Sequence, residues 1–220
     1  MFTGIIEAVG SIQKITSKGK DIVLTIDSGK LDLSDAKLGD SIATNGACLT
    51  IVELTVNGYI ADLSTETLQR TAFVHYKSGQ KVNLEKAMLP TTRFGGHIVS
   101  GHVDGLAIIM SQLQIGRAIE LWLETSASLA KYLAEKGSVT VDGISLTINE
   151  VEGACFKLTI VPYTALETTI SVLKVGQFVN IEVDVIARYL ERLVMGDRAV
   201  QRTDVGGLTL EKHAESGFLR

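Results

Sequence analysis

One thiol and two imidazoles carry most of the reactive chemistry that this sequence offers. Cys48 lies in Asn45-Gly46-Ala47-Cys48-Leu49-Thr50-Ile51, and an echo, Asp142-Gly143-Ile144-Ser145-Leu146-Thr147-Ile148, stands 97 positions further on. A cysteine in a strand-like run just after a glycine turn reads either as a small buried hydrophobe or as a nucleophile. The serine at its echo favours a polar contact, because a hydroxyl is a poor core isostere. His97 and His102 stand in Gly95-Gly96-His97-Ile98-Val99-Ser100-Gly101-His102. Five residues apart on an extended segment, they face opposite sides and do not clamp one metal ion. No acidic or Cys ligand stands at metal spacing beside them. His102 reads as a structural imidazole or as a proton carrier near neutral pH. Thr50 and Thr147 read as strand residues with a cross-strand or a ligand-facing hydroxyl.

The elements that must position these groups come in two copies. At the same offset Gly4 meets Gly101, Ile12 meets Ile109, Ser41 meets Ser138, Thr67 meets Thr164 and Thr71 meets Thr168. Val82-Asn83-x-Glu85 likewise meets Val179-Asn180-x-Glu182. Such density signals a duplicated domain. Residues 1–88 form the first copy, 89–97 a linker with Pro90 and Gly95-Gly96, 98–185 the second copy, and 186–220 a C-terminal helix and tail. Within the first copy, short runs at 22–26, 41–43, 48–52, 59–63 and 81–84 read as strands, with Asn45-Gly46 and Asn57-Gly58 as turns. The second copy repeats them at 103–110, 118–123, 138–141, 145–151, 156–161 and 178–183. The pattern predicts an all-β fold of two tandem Greek-key barrels, closed so that no sheet edge is left bare. Residues 65–71 read as a short helix, and 127–136 have helical spacing. Ile186, Tyr189, Leu190, Leu193 and Val194 form one apolar stripe at helical spacing. That helix either packs on its own barrels or joins copies of the chain. Residues 208–218 form a last short segment.

Three matched positions differ in chemistry: Cys48 against Ser145, Ile5 against His102, and Asn45 against Asp142. These are the places where two equal halves divide their work.

Bulk properties exclude several functions. The 220 residues carry a net charge of −4 without a basic run, so no nucleic-acid footprint is present. No apolar stretch approaches the roughly 20 residues of a membrane helix, and no export signal opens the chain. Two cysteines in unmatched contexts do not build a disulfide scaffold, which points to the cytoplasm. No G-x-G-x-x-G follows a strand, against a dinucleotide-binding reductase.

Six motifs in order then resemble the riboflavin synthase family, alpha-chain type: Met1-Phe2-Thr3-Gly4-Ile5, Asn45-Gly46-x-Cys48-Leu49-Thr50, Glu66-Thr67-Leu68, Gly95-Gly96-His97-x-x-Ser100-Gly101-His102-Val103-Asp104, Asp142-Gly143-Ile144-Ser145-Leu146-Thr147 and Val179-Asn180-x-Glu182. The resemblance implies two six-stranded barrels and a C-terminal helix that joins three chains into a homotrimer. It implies dismutation of two 6,7-dimethyl-8-ribityllumazine molecules into riboflavin and 5-amino-6-(D-ribitylamino)uracil, by transfer of a four-carbon unit. No metal and no redox cofactor is implied, and lumazine synthase is the implied associate. The first pocket would use Gly4, Ile5, Ile6, Ser41, Cys48, Leu49 and Thr50, with Asp62, Leu63, Ser64, Thr65, Glu66 and Thr67. The second would use Gly101, His102, Val103, Lys136, Ser145, Leu146 and Thr147, with Val161, Pro162, Tyr163, Thr164, Ala165 and Leu166. By resemblance, Cys48 is the nucleophile or polar partner at C7 of one lumazine, and His102 is the proton carrier. The alternative is a lumazine protein, which holds the chromophore as an antenna without turnover.

Overall fold

The computed structural model describes residues 1–18 and 21–200. Alternating apolar and polar residues give the first copy six strands: β1 (Ala8–Lys18), β2 (Asp21–Asp27), β3 (Ser41–Thr44), β4 (Ala47–Thr55), β5 (Gly58–Leu63) and β6 (Lys81–Lys86). They close in the order β1-β2-β5-β4-β3-β6. The second copy supplies β7 (Gly105–Ile115), β8 (Ala118–Thr125), β9 (Ser138–Val141), β10 (Ile144–Glu152), β11 (Cys155–Ile160) and β12 (Phe178–Val183), closed in the equivalent order. Every pairing is antiparallel, and β1 bends at a bulge between Ile12 and Lys14 so that one strand serves two neighbours. The bulge recurs in β7 between Ile109 and Ser111, and a second bulge recurs in β4 and β10. The duplication therefore preserved the corners of the barrel as well as its strands.

Turn chemistry fixes the hairpins nearest the candidate site. Asn45 and Gly46 take φ of 44° and 81°, and Asp142 and Gly143 take 46° and 82°, the left-handed pair that a two-residue turn between twisted strands demands. Along β4, Ala47, Leu49 and Ile51 enter the barrel core while Cys48 and Thr50 face outward. Leu24, Ile26, Ile42, Tyr59 and Leu84 fill the first barrel, and Leu121, Leu123, Phe156, Leu158 and Ile181 the second. Tyr59 is fully buried, its hydroxyl 2.6 Å from Thr44 Oγ1. The second barrel puts Phe156 and Val141 at the same places, so donor and acceptor were exchanged together for an apolar pair.

Both barrels belong to one compact unit, Met1–Ala187. Their junction is reciprocal. Gly46 and Gly143 meet back to back, and a Cβ on either would lie 2.8 Å from the other's amide nitrogen. Asn83 accepts a hydrogen bond from Thr169 N (2.8 Å) and donates to Asp142 O (3.0 Å). Asn180 accepts from Ala72 N (2.8 Å) and donates to Asn45 O (2.8 Å). Each buried amide thus satisfies backbone groups of the opposite barrel, and neither barrel is complete alone.

Short helices follow the strands: α1 (Thr65–Arg70), α2 (Ala127–Ala130) and α3 (Pro162–Glu167) within the barrel unit, and α4 (Val185–Met195) at the end of the second copy. Two expectations need correction. β1 went unread in the first copy, since Gly10, Ser11 and Gln13 dilute its alternation. The helical spacing over 127–136 yields helix only to Ala130, with turns beyond, and the left-handed φ of +65° at Lys136 ends any right-handed run there. The terminal helix forms as expected, with none of its residues buried. The expected segment at 208–218 lies outside the described residues.

Candidate functional site

Three strands of the first barrel put polar residues on one outward face. Ser41 pairs with Thr50 and Ala43 with Cys48 across β3 and β4, so Ser41, Thr50 and Cys48 share that face. Asp62 faces outward at the end of β5, where Ser64 caps α1 by accepting from Thr67 N at 3.1 Å. The second barrel repeats the face with Ser138, Ser145 and Thr147, while Pro162 opens α3 behind Val161 without a side-chain cap. Leu49 points into the first core, so its side chain does not line the site. Leu146 and Ala165 pack partly against the second core. Tyr163 and Leu166 are exposed on α3.

The strand that carries Cys48 is only partly paired. β5 runs beside β4 as far as the Ile51–Ala61 rung, and beyond it a segment from the other copy takes over, with Cys48 N donating to Gly101 O at 2.9 Å. Ser145 N donates to Gly4 O at 2.8 Å in the matching place on β10. Glycine is required at both crossings. Gly4 and Gly101 take φ of 75° and 80°, and a Cβ there would stand 2.6 Å from Ser145 Cβ or 2.7 Å from Cys48 Cβ. Two buried carboxylates hold the crossing segments. Glu85 accepts from Thr3 N (2.7 Å), Thr3 Oγ1 (2.8 Å) and Gly4 N (3.0 Å), and Glu182 accepts from Ser100 N (2.7 Å) and Gly101 N (3.0 Å). Burial pushes both acids above the ordinary glutamate range despite these donors.

This arrangement exchanges part of the expected pockets. Gly4, Ile5 and Ile6 were grouped with the first barrel, yet Gly4 binds Ser145 and Ile6 packs on the second core. Gly101, His102 and Val103 were grouped with the second, yet Gly101 binds Cys48 and Val103 packs on the first core. Periodicity could not show this, because it assigns residues to a copy and says nothing of which barrel they touch.

Cys48 is half-buried and packs beside Phe2, Ala43 and Val99, and Phe2 forms an antiparallel bridge to Val99. His102 is exposed. His97 is buried, with Nδ1 2.7 Å from Ser145 Oγ, and burial lowers its pKa below the ordinary imidazole value against an opposing pull from Asp184. Lys136 takes a left-handed conformation at the position where the first copy has Gly39. Holding a lysine there costs about 1 kcal/mol relative to a glycine. Ile5 and Ser41 line a cavity of about 660 Å³ with Glu85, Lys86, Met88 and Arg93, which Cys48 and Thr50 do not reach. Among the described residues, no group of three or more His, Cys, Asp or Glu side chains is placed to hold a metal ion.

Sequence reasoning missed the work of Glu85 and Glu182, although their matched Val-Asn-x-Glu runs were the signal. It weighed His97 only as a metal ligand and missed its bond to Ser145, because the partner is 48 residues away.

Comparison with known proteins agrees with this geometry. The Lumazine binding domain family matches residues 3–87 and 100–184, one match per barrel. A riboflavin synthase of Photobacterium phosphoreum is 60% identical over 219 residues, covering 100% of both chains. That of Bacillus subtilis (strain 168) is 44% identical over 220 residues, covering 99% of this chain and 100% of the relative. LumP, solved with 6,7-dimethyl-8-(1'-D-ribityl) lumazine, shares the fold at a TM-score of 0.76 and 22% identity, covering 83% of this chain and 99% of that one. With two lumazine binding domains in tandem and full-length relatives at this identity, the chain belongs to the riboflavin synthase family.

Proposed function

We propose that the chain catalyses the dismutation of two 6,7-dimethyl-8-ribityllumazine molecules. One gives a four-carbon unit to the other, yielding riboflavin and 5-amino-6-(D-ribitylamino)uracil, which is transferase chemistry. The observation that carries this reading is the pair of matched outward faces, Ser41, Cys48 and Thr50 against Ser138, Ser145 and Thr147, each completed by a segment from the opposite barrel. Two like half-sites suit two copies of one substrate. Holding both reactants in place removes an encounter cost of up to roughly 7–11 kcal/mol. The Cys48 thiol would be the polar or nucleophilic partner at C7 of one lumazine. His102, exposed one residue beyond the crossing, is free to reach a proton on bound substrate.

The assembled enzyme in this reading is a cytoplasmic homotrimer, with the reacting pair formed between the first barrel of one chain and the second barrel of its neighbour. The exposed stripe Ile186, Tyr189, Leu190 and Leu193 on α4 supports a helix that joins chains. Lumazine synthase is the associate that such a trimer would meet.

The test is a steady-state assay on 6,7-dimethyl-8-ribityllumazine, with oligomer mass measured in parallel. Release of riboflavin and the uracil in equal amounts supports the reading. Stable lumazine fluorescence without product would replace the enzyme with an antenna.

A further inference from the structure

The helices beside the two half-sites differ in what holds them. In α1, Ser64 accepts from Thr67 N at 3.1 Å, and Arg70 Nε pairs with Glu66 Oε1 at 3.0 Å. One end is capped and the other stapled by the helix's own side chains. The positions matching Ser64, Glu66 and Arg70 are Val161, Tyr163 and Glu167, so α3 has neither the cap nor the staple. Its Glu167 pairs instead with Lys30, a residue of the first barrel. Ala127 stands at the position matching Lys30, so the second barrel has no equivalent arm for α1. Lys30 leaves a firmly anchored turn. Gly29 takes φ of 59°, its amide donates to Asp27 Oδ1 at 2.9 Å, and a Cβ there would stand 2.5 Å from Val9 O. Ser28 N donates to Asn57 O at 2.9 Å, and Leu31 is buried in the first core.

We infer that Lys30 is a positioning residue that holds α3 from the opposite barrel, so that the first barrel helps to set the second half-site while α1 is held by its own side chains. The inference rests on the lumazine reading above for the identity of the ligand that α3 meets. Both helices are followed by one bond to the other barrel, Ala72 N to Asn180 Oδ1 and Thr169 N to Asn83 Oδ1, each at 2.8 Å. The ion pair is what α3 has beyond that shared support. The pairing with Glu167 raises the Lys30 pKa above the ordinary lysine value, and Tyr163 adds to the pull. Tyr163 and Leu166, exposed on α3, are the side chains whose placement follows from the tether. An exposed pair of this kind is weak and screened by salt, so it biases the position of one short helix and leaves the fold alone.

The experiment uses the full-length chain with Lys30→Ala, Lys30→Arg, Glu167→Gln and the charge swap Lys30→Glu/Glu167→Lys. Two matched amides report on the helices: Ala165 N, which donates to Val161 O at 3.1 Å, and Leu68 N, which donates to Ser64 O at 3.0 Å. In Lys30→Ala at low salt, hydrogen exchange at Ala165 speeds up about two- to fivefold while Leu68 keeps its wild-type rate. Glu167→Gln has the same effect, and Lys30→Arg and the charge swap keep wild-type exchange. At about 0.5 M salt the wild type exchanges like Lys30→Ala, because the pair is screened. Lumazine affinity, read by fluorescence titration, falls by a similar factor in Lys30→Ala, recovers in Lys30→Arg, and loses the difference at high salt. Unchanged exchange at Ala165, equal acceleration at both amides, or a charge swap that restores nothing overturns the inference. Faster exchange with unchanged lumazine affinity overturns the positioning role. Exchange needs no ligand, so a wild type that binds no lumazine defeats the ligand reading, and the two amides alone then decide whether Lys30 holds α3.

Discussion

Asp142 offers a test of how the barrels are joined. Its first-copy counterpart, Asn45, donates to Tyr76 Oη at 2.7 Å and accepts from Asn83 N at 2.7 Å. Asp142 accepts from Asn180 N at 2.8 Å, and Leu173 stands at the position matching Tyr76. Burial pushes its pKa up to about 7 from 3.8, against the pull of the Asn180 amide. Unfolded, the carboxyl loses its proton near 3.8; folded, it keeps the proton to about pH 7. The folded state therefore binds more protons between these values, and its stability falls as pH rises through that window. At about 1.4 kcal/mol per pH unit, the gap from 3.8 to about 7 is worth about 4 kcal/mol. For a chain of this size that corresponds to roughly 8–16 °C in Tm.

Asp142→Asn removes the titration and keeps the shape. Its amide lacks the tyrosine partner that Asn45 enjoys, so the variant starts about 1–3 kcal/mol below wild type near pH 4. The difference then moves in the variant's favour by about 4 kcal/mol on the way to pH 8. Glu85 and Glu182, also raised by burial, lose stability in the same direction. His97, lowered by burial, loses it on acidification. These contributions are common to both proteins and cancel in the difference. Denaturant titrations at half-unit intervals from pH 4 to pH 8 read the curve. Parallel stability profiles for wild type and variant would show that Asp142 carries no proton in the folded state, and the reasoning fails.

Three further outcomes are expected. Lys136→Gly relieves a left-handed lysine and raises stability by about 1 kcal/mol, while lumazine affinity measured by fluorescence titration drops; unchanged affinity would deny the side chain its role. Gly46→Ala forces a Cβ to within 2.8 Å of Gly143 N at φ +81° and costs about 2–4 kcal/mol in denaturant unfolding, whereas Gly39→Ala, with open space around it, costs about 1 kcal/mol; equal costs would refute the back-to-back packing. Cys48→Ser lowers turnover far more than lumazine affinity, as rapid mixing against equilibrium titration will show, and equal turnover removes the thiol from the chemistry.

Much of the fold was legible because the duplication printed it twice. Strands at 41–44 and 138–141 and the turns Asn45-Gly46 and Asp142-Gly143 follow from alternation and from the positive φ that these turn residues tolerate. Tyr59 with Thr44 against Phe156 with Val141 was readable as a sequence difference, but not as a coupled one, since the partners lie on strands separated by β4 and their side chains meet only in the barrel interior. The outward direction of Cys48 and Thr50 follows from the strand period. Their surroundings do not, because Gly101 and Gly4 arrive from the other copy through contacts that no local pattern encodes.

A closed barrel has no bare edge, and its interior here is filled by Tyr59, Leu84, Phe156 and their neighbours. A flat ring therefore does not fit inside either barrel, and in the proposed reading it takes its backbone donors where the ladder is interrupted. The interruption falls between the Ile51–Ala61 rung and the Cys48–Gly101 bond on one side, and between the Ile148–Leu158 rung and the Ser145–Gly4 bond on the other. Thr50 and Thr147 lie inside these two notches. Each notch is bounded by a strand of its own barrel and a glycine of the other, so cutting the chain at the linker would remove one wall from both. That dependence gives a physical reason for two half-sites to be kept on one polypeptide: each barrel supplies the floor of one notch and the wall of the other.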